Sequence, residues 1–322
     1  MESMRPLLAA SRPSWQAHLV HWLVAARMRP HALRPIDPLW VRANMGKPRG
    51  PRRLMARSTG ARFAVRPATR GWPGGEHLVW PAASPGAPTL LYLHGGGYIA
   101  CSPETHRSLV GSLVRRTGGE AWVPQYRLAP EHPHPAALED ALSAYRFLLR
   151  DQRVAPEQLV VAGDSAGGGL ALALVLALRD AGEPLPAAVV TFCPWTDMAA
   201  TGASLYENSE RCAMFAGETI RRAAGFYVGN GDPSAPTVSP LYGDYRGFPP
   251  LLVHASADEV LRDDAVRVAE RAREAGVRVE CALWPRVPHV WQFFAAVLPE
   301  ARESLTRTRD FIARHTAGRS SA

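Results

Sequence analysis

Lysine is nearly missing from this 322-residue chain. Lys47 is the sole one, and the formal charge of +8 is carried by arginines scattered along the whole length. A nucleic-acid footprint needs its cations gathered into a patch or stripe, so the dispersed arginines argue against nucleic acid as a partner. Cysteine is scarce too. Cys101, Cys193, Cys212 and Cys281 show no short paired spacing and no neighbouring histidines at metal-ligand distance. They are expected to be reduced and mostly buried, with no metal or disulfide framework. No stretch approaches the eighteen or so apolar residues of a membrane span. Leu7-Leu8-Ala9-Ala10 is too short for the apolar centre of a signal peptide. The expectation is a cytoplasmic protein without stable membrane insertion. What is present, 47% hydrophobic residues, is ordinary for a globular chain and sufficient for a substantial core.

The stretch that organises the chain is Val160-Val161-Ala162-Gly163-Asp164-Ser165-Ala166-Gly167-Gly168-Gly169, running into an apolar segment at 170–178. It reads as a buried strand over 158–162, a tight turn and a helix, with Ser165 at the apex. The Gly-x-Ser-x-Gly spacing matters because the serine must adopt a strained conformation that pushes its hydroxyl outward. Glycines at 163 and 167 let strand and helix approach closely enough for that. Upstream, a strand over 89–93 ends in His94-Gly95-Gly96-Gly97. Consecutive glycines carry an entropic cost that is justified where backbone N–H groups must face an anionic oxygen without side chains in the way. His94 is expected to anchor that loop rather than act as a base.

Around these motifs strands and helices alternate. Strands are expected at 62–66, 77–80, 121–126, 187–193, 251–255 and 277–284, and helices at 104–117 and 135–150, with a charged amphipathic helix following the acidic run at 258–264 and ending at 275. Such alternation means an α/β fold with a mostly parallel sheet and helices on both faces. Reactive side chains then collect at the carboxyl ends of the strands. Residues 15–28 set Trp15, Leu19, Trp22, Leu23 and Ala26 on one helical face, expected to pack on the body of the protein. Residues 29–51 are proline- and arginine-rich and expected to be irregular. The interruption at 195–235 is read as an insertion that, with residues 1–60, caps the strand ends; 61–194 and 236–316 form the core and 317–322 a disordered tail. Asp197 is expected to organise its loop or cap a helix.

Downstream come the acidic run Asp258-Glu259-Val260-Leu261-Arg262-Asp263-Asp264 and then Pro288-His289. The order serine, acid, histidine, each just past a strand, fits a Ser-His-acid arrangement. His94-Gly95-Gly96-Gly97, Tyr126-Arg127-Leu128-Ala129-Pro130-Glu131, Gly163-Asp164-Ser165-Ala166-Gly167, the Leu-Arg-Asp segment and His289 together resemble the hormone-sensitive-lipase-like branch (bacterial family IV, GDSAG-type) of the α/β-hydrolases, over roughly residues 78–315. The helix starting at Ser14-Trp15-Gln16 resembles the cap of a subset associated with lactone hydrolysis.

The resemblance implies an α/β-hydrolase fold with a helical cap and a serine carboxylesterase that needs no cofactor or metal. Ser165 would be the nucleophile and His289 the general base, with Gly96, Gly97 and Ala166 lending backbone N–H groups to an oxyanion hole. The acid is open between two neighbours. Aligned on Leu261-Arg262-Asp263, the position falls on Glu259, and Asp258 is the alternative. Arg127 and Glu131 are expected to be structural, as a charge pair or hydrogen-bond anchors. The expected partner is a small-molecule ester of short or medium acyl length, or a lactone. The alternatives are an amidase or deacetylase with the same triad, an interfacial lipase, or a non-catalytic small-ligand receptor. A homodimer through the edge of the last strand is implied as well, since that strand would otherwise leave backbone groups unpaired.

Overall fold

The computed structural model describes residues 7–8, 12–32, 34–45, 59–83 and 86–316. The strands are β1 (Leu7–Leu8), β2 (Arg62–Arg66), β3 (Gly75–Val79), β4 (Thr89–Leu93), β5 (Glu120–Pro124), β6 (Leu159–Asp164), β7 (Ala188–Phe192), β8 (Leu251–Ser256) and β9 (Val279–Trp284). They form one sheet in the order β1-β9-β8-β7-β6-β4-β5-β3-β2. Pairing is parallel from β1 to β5, and the β5-β3 and β3-β2 pairs are antiparallel.

The helices are α1 (Trp15–Ala32), α2 (Pro38–Met45), α3 (Pro103–Thr117), α4 (Ala136–Arg150), α5 (Ala166–Asp180), the single turn α6 (Ser204–Glu207), α7 (Gly217–Val228), α8 (Arg262–Glu274) and α9 (Pro299–Thr316). Strand periodicity sorts them into two layers. Leu91, Leu93, Leu159 and Val161 face the side covered by α4, α5 and α8. Their alternates Leu90, Tyr92, Val160 and Ala162 face the side covered by α3 and α9. The central helix α5 is apolar nearly all round because it is covered nearly all round, with Leu170, Leu172, Leu174 and Val175 at zero exposure. Each such side chain stabilises the fold by about 1.5–3 kcal/mol relative to an exposed one.

Several expectations are corrected. Within residues 29–51, α1 continues to Ala32 and α2 forms a second helix, with Pro38 at its first position and Asp37 Oδ1 accepting the Leu39 and Trp40 N–H groups; residues 46–51 lie outside the described residues. The apolar stripe of α1 does not face the protein. Trp15 and Trp22 are 70% and 63% exposed, and Leu19 and Leu23 are exposed as well. The helix packs instead through the small residues Ala17 and Val20, which allow close approach. Ser14 N–H and Oγ bond Glu300 at 2.7 and 3.0 Å, and Arg29 reaches the carbonyls of Ser209, Glu210 and Cys212. Side-chain size and polar anchors decided the face. The edge of β9 is not bare either, because Leu7 and Leu8 pair with Ala282 and Leu283.

Between β7 and β8 lie α6 and α7, where the insertion at 195–235 is expected. The Arg29 contacts and a hydrogen bond from Thr219 Oγ1 to the Ala32 carbonyl join this stretch to α1. The tail at 317–322 lies outside the described residues. Among the described residues no helix is long and apolar enough to cross a membrane.

Candidate active site

The ends of β4, β6, β8 and β9 lie on the same edge of the parallel sheet, and each delivers one piece of the site. Past β6, Ser165 has φ 54° and ψ −125° as the residue before α5. This is a left-handed position that a non-glycine residue rarely takes without functional reason. The turn closes only because its flanks lack side chains. A Cβ on Gly163 would stand 2.2 Å from the Gly167 carbonyl oxygen, and one on Gly167 would stand 2.0 Å from that of Leu93. The Ser165 N–H donates to the Phe192 carbonyl at 2.8 Å, tying the elbow to the end of β7.

Past β8, the two neighbouring acids take different directions. Glu259 is 1% exposed; its Oε2 accepts the His289 Nδ1–H and its Oε1 the Ser256 N–H at 2.8 Å. Asp258, expected as an alternative partner for His289, does not meet it. Its carboxylate pairs with Arg211 and accepts the Arg286 N–H at 2.7 Å. Asp258 therefore tethers the loop that carries His289, and Ser256 does the same by donating to the Val287 carbonyl at 2.7 Å.

With Nδ1–H directed at Glu259, the lone pair of His289 sits on Nε2, which is buried and has no hydrogen-bond partner among the described residues. The Ser165 hydroxyl does not hydrogen-bond to it in this structure; catalytic hydrogen bonds of this kind are often long or poorly aligned before substrate binds. Phe215 lies edge-on to the imidazole at 5.3 Å.

Past β4, Gly96 and Gly97 have φ 123° and 63°. Among the described residues, neither their N–H groups nor that of Ala166 donates to another protein group. Three such backbone donors beside a strained serine can receive the negative oxygen of a tetrahedral intermediate. A Cβ on Gly96 would stand 2.2 Å from the Ala100 carbonyl oxygen, so the loop would have to move. Gly96→Ala is accordingly expected to lower kcat by ~10²–10³, the effect of losing one oxyanion donor, with little change in KM. Steady-state kinetics on a soluble ester checks it.

The loop is braced by residues the sequence analysis did not single out. Asp164 is 2% exposed, accepts the Tyr92 hydroxyl at 2.8 Å and the Gly95 N–H at 3.2 Å, and lies 3.3 Å from His106 Nε2. Burial pushes its carboxyl up, but the His106 charge and the hydrogen bonds from His106 and Tyr92 prevail and hold it below its ordinary value. Its place inside the Gly-Asp-Ser-Ala-Gly turn was the available signal.

His94 anchors the loop as expected. It stacks on Tyr126 with centroids 4.2 Å apart, and burial with the neighbouring His106 lowers its pKa to about 3. Asp197 organises its own loop, accepting the Ala199 and Thr201 N–H groups at 3.1 and 2.9 Å. Arg127 and Glu131 do not pair with each other. Arg127 binds Asp140 and Glu139, while Glu131 holds Arg42, which also donates to the Ile99 and Ala129 carbonyls and so ties α2 to the glycine loop. Trp291, two residues past His289, is fully buried against Trp284 in the core.

Asp264 gives a pH-dependent signature. Burial, reinforced by the Asp197 charge and opposed by the Thr196 and Asp197 N–H donors, pushes its pKa from 3.8 to about 8. The folded state thus holds a proton that the unfolded chain releases, so stability falls as pH rises toward 8. His94 and His254, both held near pKa 3 mainly by burial, act in the other direction, but only below the ordinary value of 6.5. Between pH 6.5 and 8 the melting temperature is therefore expected to decline, and Asp264→Asn to flatten that slope in calorimetry.

The chain matches the α/β-hydrolase fold family over residues 90–293. It is 46% identical over 227 residues to an acetyl-hydrolase of Streptomyces hygroscopicus, covering 70% of this chain and 75% of that one. It is 34% identical over 248 residues to an esterase of Acinetobacter venetianus, covering 77% and 81%. Among solved structures it superposes on the esterase EstE5, soaked with p-nitrophenyl butyrate, with a TM-score of 0.86, 33% identity, and 95% and 100% of the two chains covered. An esterase from the bacterial hormone-sensitive lipase family aligns with a TM-score of 0.82, 36% identity, and 95% and 99% coverage. Sheet order, serine elbow and relatives agree: this chain belongs to the α/β-hydrolase fold family, as a carboxylic ester hydrolase of its hormone-sensitive-lipase-like branch.

Proposed function

We propose that the protein is a serine carboxylesterase acting on short- to medium-chain acyl esters through a Ser165-His289-Glu259 triad and an acyl-enzyme intermediate. The observation that carries this reading is the buried Glu259–His289 pair, which leaves Nε2 as the unpartnered nitrogen, on a segment tied through the Val290 N–H to Cys193 just past β7, where Ser165 is tied to Phe192. His289 Nε2 takes the Ser165 proton as the hydroxyl oxygen attacks the ester carbonyl, and Glu259 stabilises the imidazolium that results. The N–H groups of Gly96, Gly97 and Ala166 receive the oxyanion. The imidazolium then protonates the leaving alcohol, and a water activated by the same nitrogen releases the acid. Every step uses side chains and backbone of this chain.

Acyl length is restricted from the cap side. Tyr98, next to the oxyanion glycines, is buried and stacks on Tyr227 of α7 with centroids 3.6 Å apart. Two rings packed this way leave little depth for a long chain. The similarity to an acetyl-hydrolase points the same way.

The test is hydrolysis of p-nitrophenyl esters from acetyl to dodecanoyl, with a simple lactone and an anilide alongside. Highest kcat/KM at acetyl or butyryl is the expected result. Preference for the longest chains would overturn the restriction, and activity confined to the anilide would replace the esterase reading with an amidase.

A further inference from the structure

Cys193 lies directly behind the Glu259–His289 pair. It follows the last residue of β7 with φ 49°, a left-handed backbone position that, like Ser165, a non-glycine residue seldom adopts. Its N–H donates to the His254 carbonyl at 2.7 Å, which fixes the strained residue, and it has no exposed surface. Its Sγ accepts the Val290 N–H at 3.3 Å, the amide immediately after His289. On its other side the thiol lies against the Glu259 carboxylate. Ligating atoms of Cys193, Glu259 and His289 all lie within 4.8 Å of one another. Burial and the Glu259 charge push the thiol well above its ordinary pKa, so it remains a protonated donor.

A buried cysteine is usually a small apolar filler. This one instead faces the acid and receives a hydrogen bond from the histidine's segment. The Glu259 carboxylate is held by two donors, the Ser256 N–H and the His289 Nδ1–H, and the Cys193 thiol stands beside them.

We propose that Cys193 is a positioning residue of the esterase, whose thiol bridges the Glu259 carboxylate and the Val290 amide and so sets both the aim and the basicity of His289. The inference rests on the reading of Ser165, His289 and Glu259 as the triad. Losing a weak thiol donor leaves more negative charge on the carboxylate, which then holds the imidazolium proton more tightly. The pKa of His289 rises, and less of the enzyme carries a free Nε2 on the acid side.

The test compares wild type, Cys193→Ala and Cys193→Ser, each shown to be folded by circular dichroism. The pH profile of kcat/KM and the downfield proton resonance of His289 Nδ1–H are the readouts. In Cys193→Ala, kcat is expected to fall about tenfold with KM unchanged. The acidic limb should move up by about half a pH unit, and the resonance should shift, because the imidazolium is better stabilised. Cys193→Ser, which keeps a donor and an acceptor, is expected to retain activity within about threefold, with its limb at or below the wild-type position. If Cys193→Ala does not fold, Cys193→Ser alone decides, since its stronger hydroxyl donor should move the limb downward. A limb and resonance unchanged in every folded variant would overturn the proposal and leave Cys193 as packing. Failure of the triad itself is separable, because it would show as wild-type activity surviving in Ser165→Ala or Glu259→Gln.

Discussion

Replacing Ser165 with alanine is expected to lower kcat on a soluble short-chain ester by ~10⁵–10⁶ while leaving the protein folded. The size follows from what is lost. Without the hydroxyl there is no acyl-enzyme, and the reaction falls back on direct attack by water, assisted only by binding and by the backbone donors. Little stability should be lost, because alanine at Ser165 keeps the backbone bonds to Phe192 and Trp195 that hold the elbow. The φ 54° strain stays, because relieving it requires a change of backbone that the close approach of Gly163 and Gly167 opposes. A single-turnover assay with a chromogenic ester provides a second readout: a burst of alcohol product in the wild type and none in the variant. Persistence of the burst in Ser165→Ala would place the nucleophile elsewhere.

Glu259→Gln is expected to lower kcat by ~10⁴, and Asp258→Asn by no more than about tenfold. The two residues are adjacent and nearly equally buried, so the contrast separates chemistry from burial. The Glu259 carboxylate faces Nδ1 of His289. An amide there cannot stabilise the imidazolium, and it also presents an N–H group that can turn the imidazole to the wrong tautomer. Asp258 faces Arg211 and the Arg286 N–H. An asparagine keeps an acceptor for that amide but weakens the ion pair, so its effect should appear in melting temperature more than in rate. Equal losses of kcat in the two variants would defeat the assignment of Glu259 as the acid.

Much of the fold was legible because it is encoded locally. The strand at 62–66 and the strand at 89–93 coincide with β2 and β4, α3 and α4 begin within one residue of their expected starts, and α8 ends within one residue of its expected end. Apolar runs bounded by glycine and proline leave a buried parallel strand few alternatives. The elbow was legible for the same reason: only glycine tolerates the approach of Gly163 to Gly167.

The N-terminal segment was less legible. Alpha-helical periodicity marked the Trp15-Leu19-Trp22 stripe as the buried one, yet the helix turns that stripe outward and seats Ala17 and Val20. A helix with apolar residues on more than one side gives periodicity no unique answer, and distant anchors such as Glu300 decide. In α2, the capping signal Asp37-Pro38 was present but submerged in proline- and arginine-rich surroundings.

By itself the sequence determined the architecture, the serine at the elbow and the glycine loop, because each element and motif is encoded by residues a few positions apart, and it gives the chain order of serine, acid and histidine directly. Only the tertiary structure decided which of two adjacent carboxylates turns to His289, that Arg127 and Glu131 serve different partners, and that Cys193 stands behind the acid. Those are side-chain directions between elements remote in sequence. They are settled by how β7, β8 and β9 lie side by side, which no local pattern contains.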